Sequence, residues 1–195
     1  MTTTIPQRMT LEEYLDYDDG TDTRYELVDG ILVVMGSENP INPQIASFLF
    51  SVFLGLGIPH YRLVIGHQIE VSSVYASARQ PDLIVHSVDS EKAISEDGKL
   101  LRLGHPAPLL VVEVVSNSET DPQSRTRDYQ EKRLEYAARG IPEYWIIDPM
   151  SAVVLVLTLK GTQYQEQRFQ GKQSILSFAF SNLSLTAEQV LKAGK

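Results

Sequence analysis

The chain has 195 residues, 43% hydrophobic and 22% charged, which suits one globular domain with a substantial core. It has no cysteine, which excludes disulfides and thiolate zinc sites; its net charge of -8 argues against a module with a domain-wide basic balance, though not against a nuclease with a local basic patch. Met1 to Met9 lacks the pattern of a signal peptide and no apolar run nears the roughly 20 residues of a membrane span, so a cytoplasmic protein without a membrane partner is expected.

Thr10 to Leu15 opens as a capped helix, with Glu13 three residues after Thr10. Arg24 to Val28 and Ile31 to Met35 flank Asp29-Gly30, the signature of a two-residue hairpin turn. Pro43 to Leu56 is apolar at helical spacing, and Arg62 to Val71 reads as one strand or two short ones. Asp82 to Ser87 is a short strand entered from Pro81, and Ser90 to Gly104 reads as a polar loop. Leu109 to Val115 is nearly continuously apolar, as in a strand buried on both faces, and Asn117 to Ser124 is turn-rich. Gln123 to Arg139 reads as a helix, followed by a buried strand over Glu143 to Asp148. A hairpin over Val153 to Phe169, a last strand over Ser174 to Phe178 and a capped helix over Thr186 to Lys192 complete the chain. A helix between Val115 and Glu143 implies a right-handed crossover joining parallel strands. The expectation is a single domain over 1–195, α/β or α+β with a mixed sheet.

Two acids stand where apolar residues belong. Asp82 begins one buried strand and Glu113 interrupts another, and burying an ionised carboxylate is costly unless it is paired or binds a metal. The plain alternatives are a solvent-facing edge strand or a buried pair with an arginine, and the strand pattern leaves both open. Oxygen ligands from neighbouring strands suit Mg²⁺ or Mn²⁺. On the following helix Arg125, Asp128, Lys132 and Tyr136 share one face, while Leu134, Ala137, Ala138 and Ile141 form an opposite stripe expected to meet the core. A lysine near two carboxylates can orient an attacking water; the bland reading of the same stripe is a solvated face with an Asp128–Lys132 pair.

The segments Tyr25-Glu26-Leu27-Val28-Asp29-Gly30, Gln80-Pro81-Asp82-Leu83, Val112-Glu113-Val114-Val115-Ser116, Asp128 with Lys132 and Tyr136, and Gly140 to Pro149 occur in an order that resembles the Uma-two endonuclease family, within the PD-(D/E)XK nuclease superfamily. The resemblance covers most of the chain. It implies a restriction-endonuclease-like core, a mixed central sheet flanked by helices with an added N-terminal hairpin, and a Mg²⁺- or Mn²⁺-dependent endonuclease acting on DNA. It assigns Asp82 and Glu113 as catalytic metal ligands, the Val114 carbonyl as a third ligand, Lys132 as the catalytic lysine and Glu26 as an assisting acid. Gln80, Arg125, Asp128 and Tyr136 become candidate substrate contacts. Val115 stands where the superfamily places its lysine, so Lys132 takes that role from the next helix. The family often has a histidine in the segment that here reads Pro40 to Gln44.

Other signals are plain. His60, His67, His86 and His105 lack the spacing of a zinc hydrolase; no serine-nucleophile elbow or phosphate-binding Gly-rich loop is present; Tyr144 and Trp145 are expected in the core. Arg125, Arg127, Arg133 and Arg139 form the densest basic patch. A homodimer would suit a double-strand cutter. The alternatives are a catalytically silent nucleic-acid- or protein-binding module on the same fold, or a metal-dependent hydrolase of another phosphorylated substrate.

Overall fold

The computed structural model describes residues 8–21, 23, 25–28, 30–34, 39–73, 77–98, 100–116 and 124–195. In chain order its elements are α1 (Leu11–Leu15), β1 (Tyr25–Val28), β2 (Ile31–Val34), α2 (Ile41–Gly55), a 3₁₀ turn (His60–Arg62), β3 (Leu63–Val64), β4 (Gln68–Glu70), β5 (Ala78–Arg79), β6 (Leu83–Val85), α3 (Val88–Asp97), β7 (Leu100–Leu101) and β8 (Leu110–Val114). A helix in three parts follows: α4 (Ser124–Thr126), a π-helical turn (Arg127–Glu131) and α5 (Lys132–Ala138). Then come β9 (Glu143–Asp148), β10 (Val153–Lys160), β11 (Gln163–Phe169) and α6 (Ala187–Leu191). Of the expected features, Met1 to Gln7, Arg24, Asp29, Met35 and Asn117 to Gln123 lie outside the described residues.

The central sheet has the order β11-β10-β9-β8-β6-β3. Only β8 and β9 run parallel; the other neighbours are antiparallel, so the sheet is mixed as expected. The parallel pair is joined by the three-part helix, which supplies the expected crossover. Side chains alternate between two apolar layers. Leu110, Val112 and Val114 of β8 pack with Trp145 and Ile147 of β9 and with Ile45, Leu49 and Phe53 of α2. Val111, with Val115 just past the strand, joins Tyr144 and Ile146 and meets Tyr136 of α5 on the other face. By the period of two, Glu113 belongs to that second face.

Smaller sheets lie beside the main one. β1 and β2 form the expected hairpin. Gly30 has φ 77°, a conformation that favours glycine, and a side chain there would press on Arg8 and on the Met9 carbonyl. β4 pairs with both β5 and β7.

Three expectations are corrected. Ser90 to Gly104 is not one loop but holds most of α3 and all of β7. Ser87 Oγ accepts from the Ser90 N–H at 3.0 Å, Asp89 and Glu91 sit in the first turn, and Gly98 caps the end at φ 93°. Ser174 to Phe178 is not a strand; only Ser174 bridges to Thr186. The Phe178 N–H and the Ala179 N–H instead donate to Glu143 Oε2, while Ser177 Oγ and Trp145 Nε1 donate to Oε1. The segment is therefore held by one fully buried carboxylate rather than by a strand ladder. The third correction concerns part of the apolar helix stripe: Ala137 and Ile141 meet the core as expected, but Ala138 is exposed and Leu134 is 69% exposed, whereas Tyr136 is fully buried.

Tyr144 and Trp145 lie in the core as expected, and among the described residues no helix is long and apolar enough to cross a membrane. His86 is also buried, with Nδ1 3.1 Å from Ser90 Oγ and Nε2 3.4 Å from His67 Nδ1. Burial pushes it down to about 4, with His67 and Arg62 adding to the effect. Between that value and the unfolded value of about 6.5 the unfolded chain binds more protons, so stability rises with pH through this window and is lost as pH falls. The contribution is on the order of 3 kcal/mol at neutral pH. Urea unfolding across pH 4 to 7 should show a shallower rise in His86→Gln than in the parent chain; identical slopes would contradict the assignment.

Candidate active site

Glu113 sits in the fourth strand of the six-strand order, between β9 and β6, and is 3% exposed. It is neither an edge residue nor an arginine partner. Its charge is met from the crossover helix: Lys132 Nζ lies 2.8 Å from Glu113 Oε2 and 2.8 Å from Asp128 Oδ1, and Tyr136 Oη donates to Glu113 Oε1 at 2.7 Å. The stripe Asp128, Lys132, Tyr136 thus turns inward. The π-helical turn at Arg127–Glu131 widens the helix at the start of this stripe, a feature common at functional sites.

Asp82 immediately precedes β6, where Leu83 pairs with Val112 in antiparallel register. Continuing that register by one residue sets Asp82 beside Glu113. Asp82 Oδ2 accepts from the Val114 N–H at 2.6 Å. Burial pushes the Glu113 carboxyl up to about 8; Lys132 opposes this, and Asp128 and Asp82 add to it. Burial alone would push the Lys132 ammonium down, but Asp128, Glu113 and Glu26 together hold it above its ordinary value.

A second buried cation lies next to the first. Arg79, at the end of β5, is 1% exposed. Its guanidinium reaches Glu26 at 3.1 Å, Glu131 at 3.1 Å and Glu135 at 2.7 Å. Burial lowers the arginine's affinity for its proton, and Glu135 and Glu26 more than offset this. Glu26 is thereby tied into the site through Arg79, and its Oε1 is buried without a hydrogen-bond partner among the described residues. Arg79, Glu131 and Glu135 were not singled out from the sequence. The signal was present: positions 128, 131, 132 and 135 carry the i, i+3, i+4, i+7 spacing of a buried helix face, filled with charges.

The Val114 carbonyl accepts from Asn42 Nδ2 at 3.0 Å. The Gln80 side-chain amide donates to the Gly66 carbonyl at 2.9 Å. Arg125 pairs with Asp148 and stacks over Tyr129, leaving its side chain 46% exposed. The basic patch is dispersed: Arg133 binds Glu166, and Arg139 donates to the carbonyls of Arg102 and His105.

The donors around Glu113 suit a hard divalent ion: two carboxylates and a backbone carbonyl, all oxygen. Among the described residues no three His, Asp or Glu side chains are arranged to hold a metal by themselves.

The Uma2 family, described as "Putative restriction endonuclease", matches residues 11–188. The chain belongs to the Uma2 family. A solved structure, described as that of a putative nuclease belonging to DUF820 from Anabaena variabilis ATCC 29413, superposes with a TM-score of 0.70. It is 19% identical, and the match covers 96% of this chain and 99% of that one. That likeness shows a shared fold, and with the six-strand mixed sheet and its flanking helices it bears out the restriction-endonuclease-like architecture. Comparison with curated proteins gives no match.

The Lys132–Glu113 pair is testable without a substrate. In metal-free protein Lys132→Met should cost about 3–5 kcal/mol by stranding two buried carboxylates. Adding Glu113→Gln should recover part of that loss. Urea unfolding of the four chains of this cycle measures the coupling, and additive losses would contradict a direct pair.

Proposed function

We propose that the chain is a divalent-metal-dependent endonuclease that hydrolyses phosphodiester bonds in DNA. The observation that carries this reading is the Lys132 ammonium held against Glu113 while Asp82 sits at the adjoining strand start. Family membership supports a nuclease, and the site supplies a lysine although Val115 fills the superfamily's usual lysine position.

Asp82, Glu113 and the Val114 carbonyl would hold Mg²⁺ or Mn²⁺. When bound, such an ion neutralises charge on the phosphate and eases deprotonation of the attacking water. The chain's own residues set the stage. Tyr136 fixes one oxygen of Glu113 by donating to it, and Asp128 keeps Lys132 charged and restrained. Lys132 Nζ then orients the water and stabilises charge developing on the phosphate. Glu26 assists by holding the neighbouring Arg79 and adding negative potential at Lys132.

Buried Asp128 and Tyr136 serve this reading as positioning residues rather than substrate contacts. Arg125, half exposed at the helix start, is the better-placed group for a phosphate. A homodimer would bring two such sites to the two strands of a duplex.

Cleavage of single- and double-stranded DNA and RNA, with Mg²⁺ or with EDTA, tests the reading. DNA should be cut only with the metal, and Asp82→Asn, at a half-buried position that tolerates an isosteric change, should lower kcat by about 10²–10³. Cutting that survives EDTA, undiminished activity in Asp82→Asn, or failure to cut any nucleic acid would overturn it.

A further inference from the structure

Asn42 lies in the first turn of α2 and is 2% exposed. Its Nδ2 donates to the Val114 carbonyl at 3.0 Å and to Ser116 Oγ at 2.7 Å. A carbonyl oxygen can only accept, so this contact fixes which end of the amide faces β8. With both N–H groups directed to the end of β8, Oδ1 is left at the amide's other end, buried and without a partner among the described residues. An apolar side chain of the same size would fill the position without burying an unsatisfied acceptor, so this amide is poorly explained as packing alone.

We propose that Asn42 is a positioning residue of the Glu113 site: through Nδ2 it orients the Val114 carbonyl, and its Oδ1 is left to accept a hydrogen bond from a bound water. The inference rests on the metal-site reading given above and adds a residue from the opposite layer of the sheet, where α2 packs. It links two observations that otherwise stand apart. The carbonyl assigned as a ligand is already restrained by a side chain, and that same side chain carries a free acceptor. Such outer groups align a ligand without touching the ion, and their loss typically weakens metal affinity 10- to 100-fold.

Mn²⁺ titration followed by electron paramagnetic resonance, on the full chain, reads the site without turnover. Asn42→Leu keeps the volume and removes both donors; Asn42→His keeps an N–H donor for the carbonyl. In Asn42→Leu, Mn²⁺ affinity should fall at least tenfold while the melting temperature in EDTA shifts by less than about 4 °C. Asn42→His should restore most of the affinity. The smaller Asn42→Ala serves the same comparison if the leucine variant does not fold. Unchanged Mn²⁺ affinity in a folded Asn42 variant, with Asp82→Asn still abolishing binding, would overturn the role of Asn42 and spare the metal site. Mn²⁺ binding that is absent in the parent chain, or indifferent to Asp82→Asn, would remove the metal site and the Asn42 role together.

Discussion

Lys132 holds its ammonium in the interior between Glu113 and Asp128, and much of the described architecture serves that contact. A carboxylate in the middle of a six-strand sheet is tolerable only with a cation close by, and a buried ammonium needs more than one acid to stay charged. The crossover helix satisfies both needs because it follows β8 in the chain and packs back over it. Arg79 repeats the arrangement one step away, with Glu26, Glu131 and Glu135 around it. The helix is thus fastened to the six-strand sheet by its own Lys132 and to the three-strand sheet by Arg79 of β5. Such a network is a weak source of stability compared with an apolar core, which points to a use other than holding the fold together.

That use is consistent with the imbalance of charge. Around these two cations stand Glu26, Glu113, Asp128, Glu131 and Glu135, with Asp82 beside Glu113. The surplus is negative, the donors are hard oxygens, and burial already raises the Glu113 proton affinity. The divalent cation proposed for the site would offset part of this surplus. The acidic balance of the whole chain, which argued against a domain-wide basic module, is in part a property of this interior cluster.

Much of the architecture was legible because local signals agreed with the global arrangement. Asp29-Gly30 marked the hairpin, the apolar run through β8 marked a doubly buried strand, and the helix between β8 and β9 required a parallel crossover. Asp82 and Glu113 were legible because each broke an apolar strand pattern. The helix face was read only in part because two stripes share one spacing. Ala137 and Ile141 meet the core as their spacing suggests, but Leu134 and Ala138 do not, because positions 128, 132 and 135 carry the same period and their charged side chains are buried. Hydrophobicity decides such a choice only when no buried acid waits on the sheet. Arg79 was hidden for a related reason: its three acids come from β1 and from the crossover helix, 53 to 56 residues away for Glu26 and Glu135. Helix α3 was overlooked although Ser87 and Gly98 punctuate it, because polar residues between two caps read equally as loop.

In the proposed site, Asp82, Glu113 and the Val114 carbonyl hold one cation beside a charged Lys132. Anomalous diffraction from crystals soaked in Mn²⁺ addresses it most directly. A single strong peak should lie within bonding distance of all three groups and be absent from Asp82→Asn crystals. No peak there, or one bound elsewhere while the site stays empty, would contradict it.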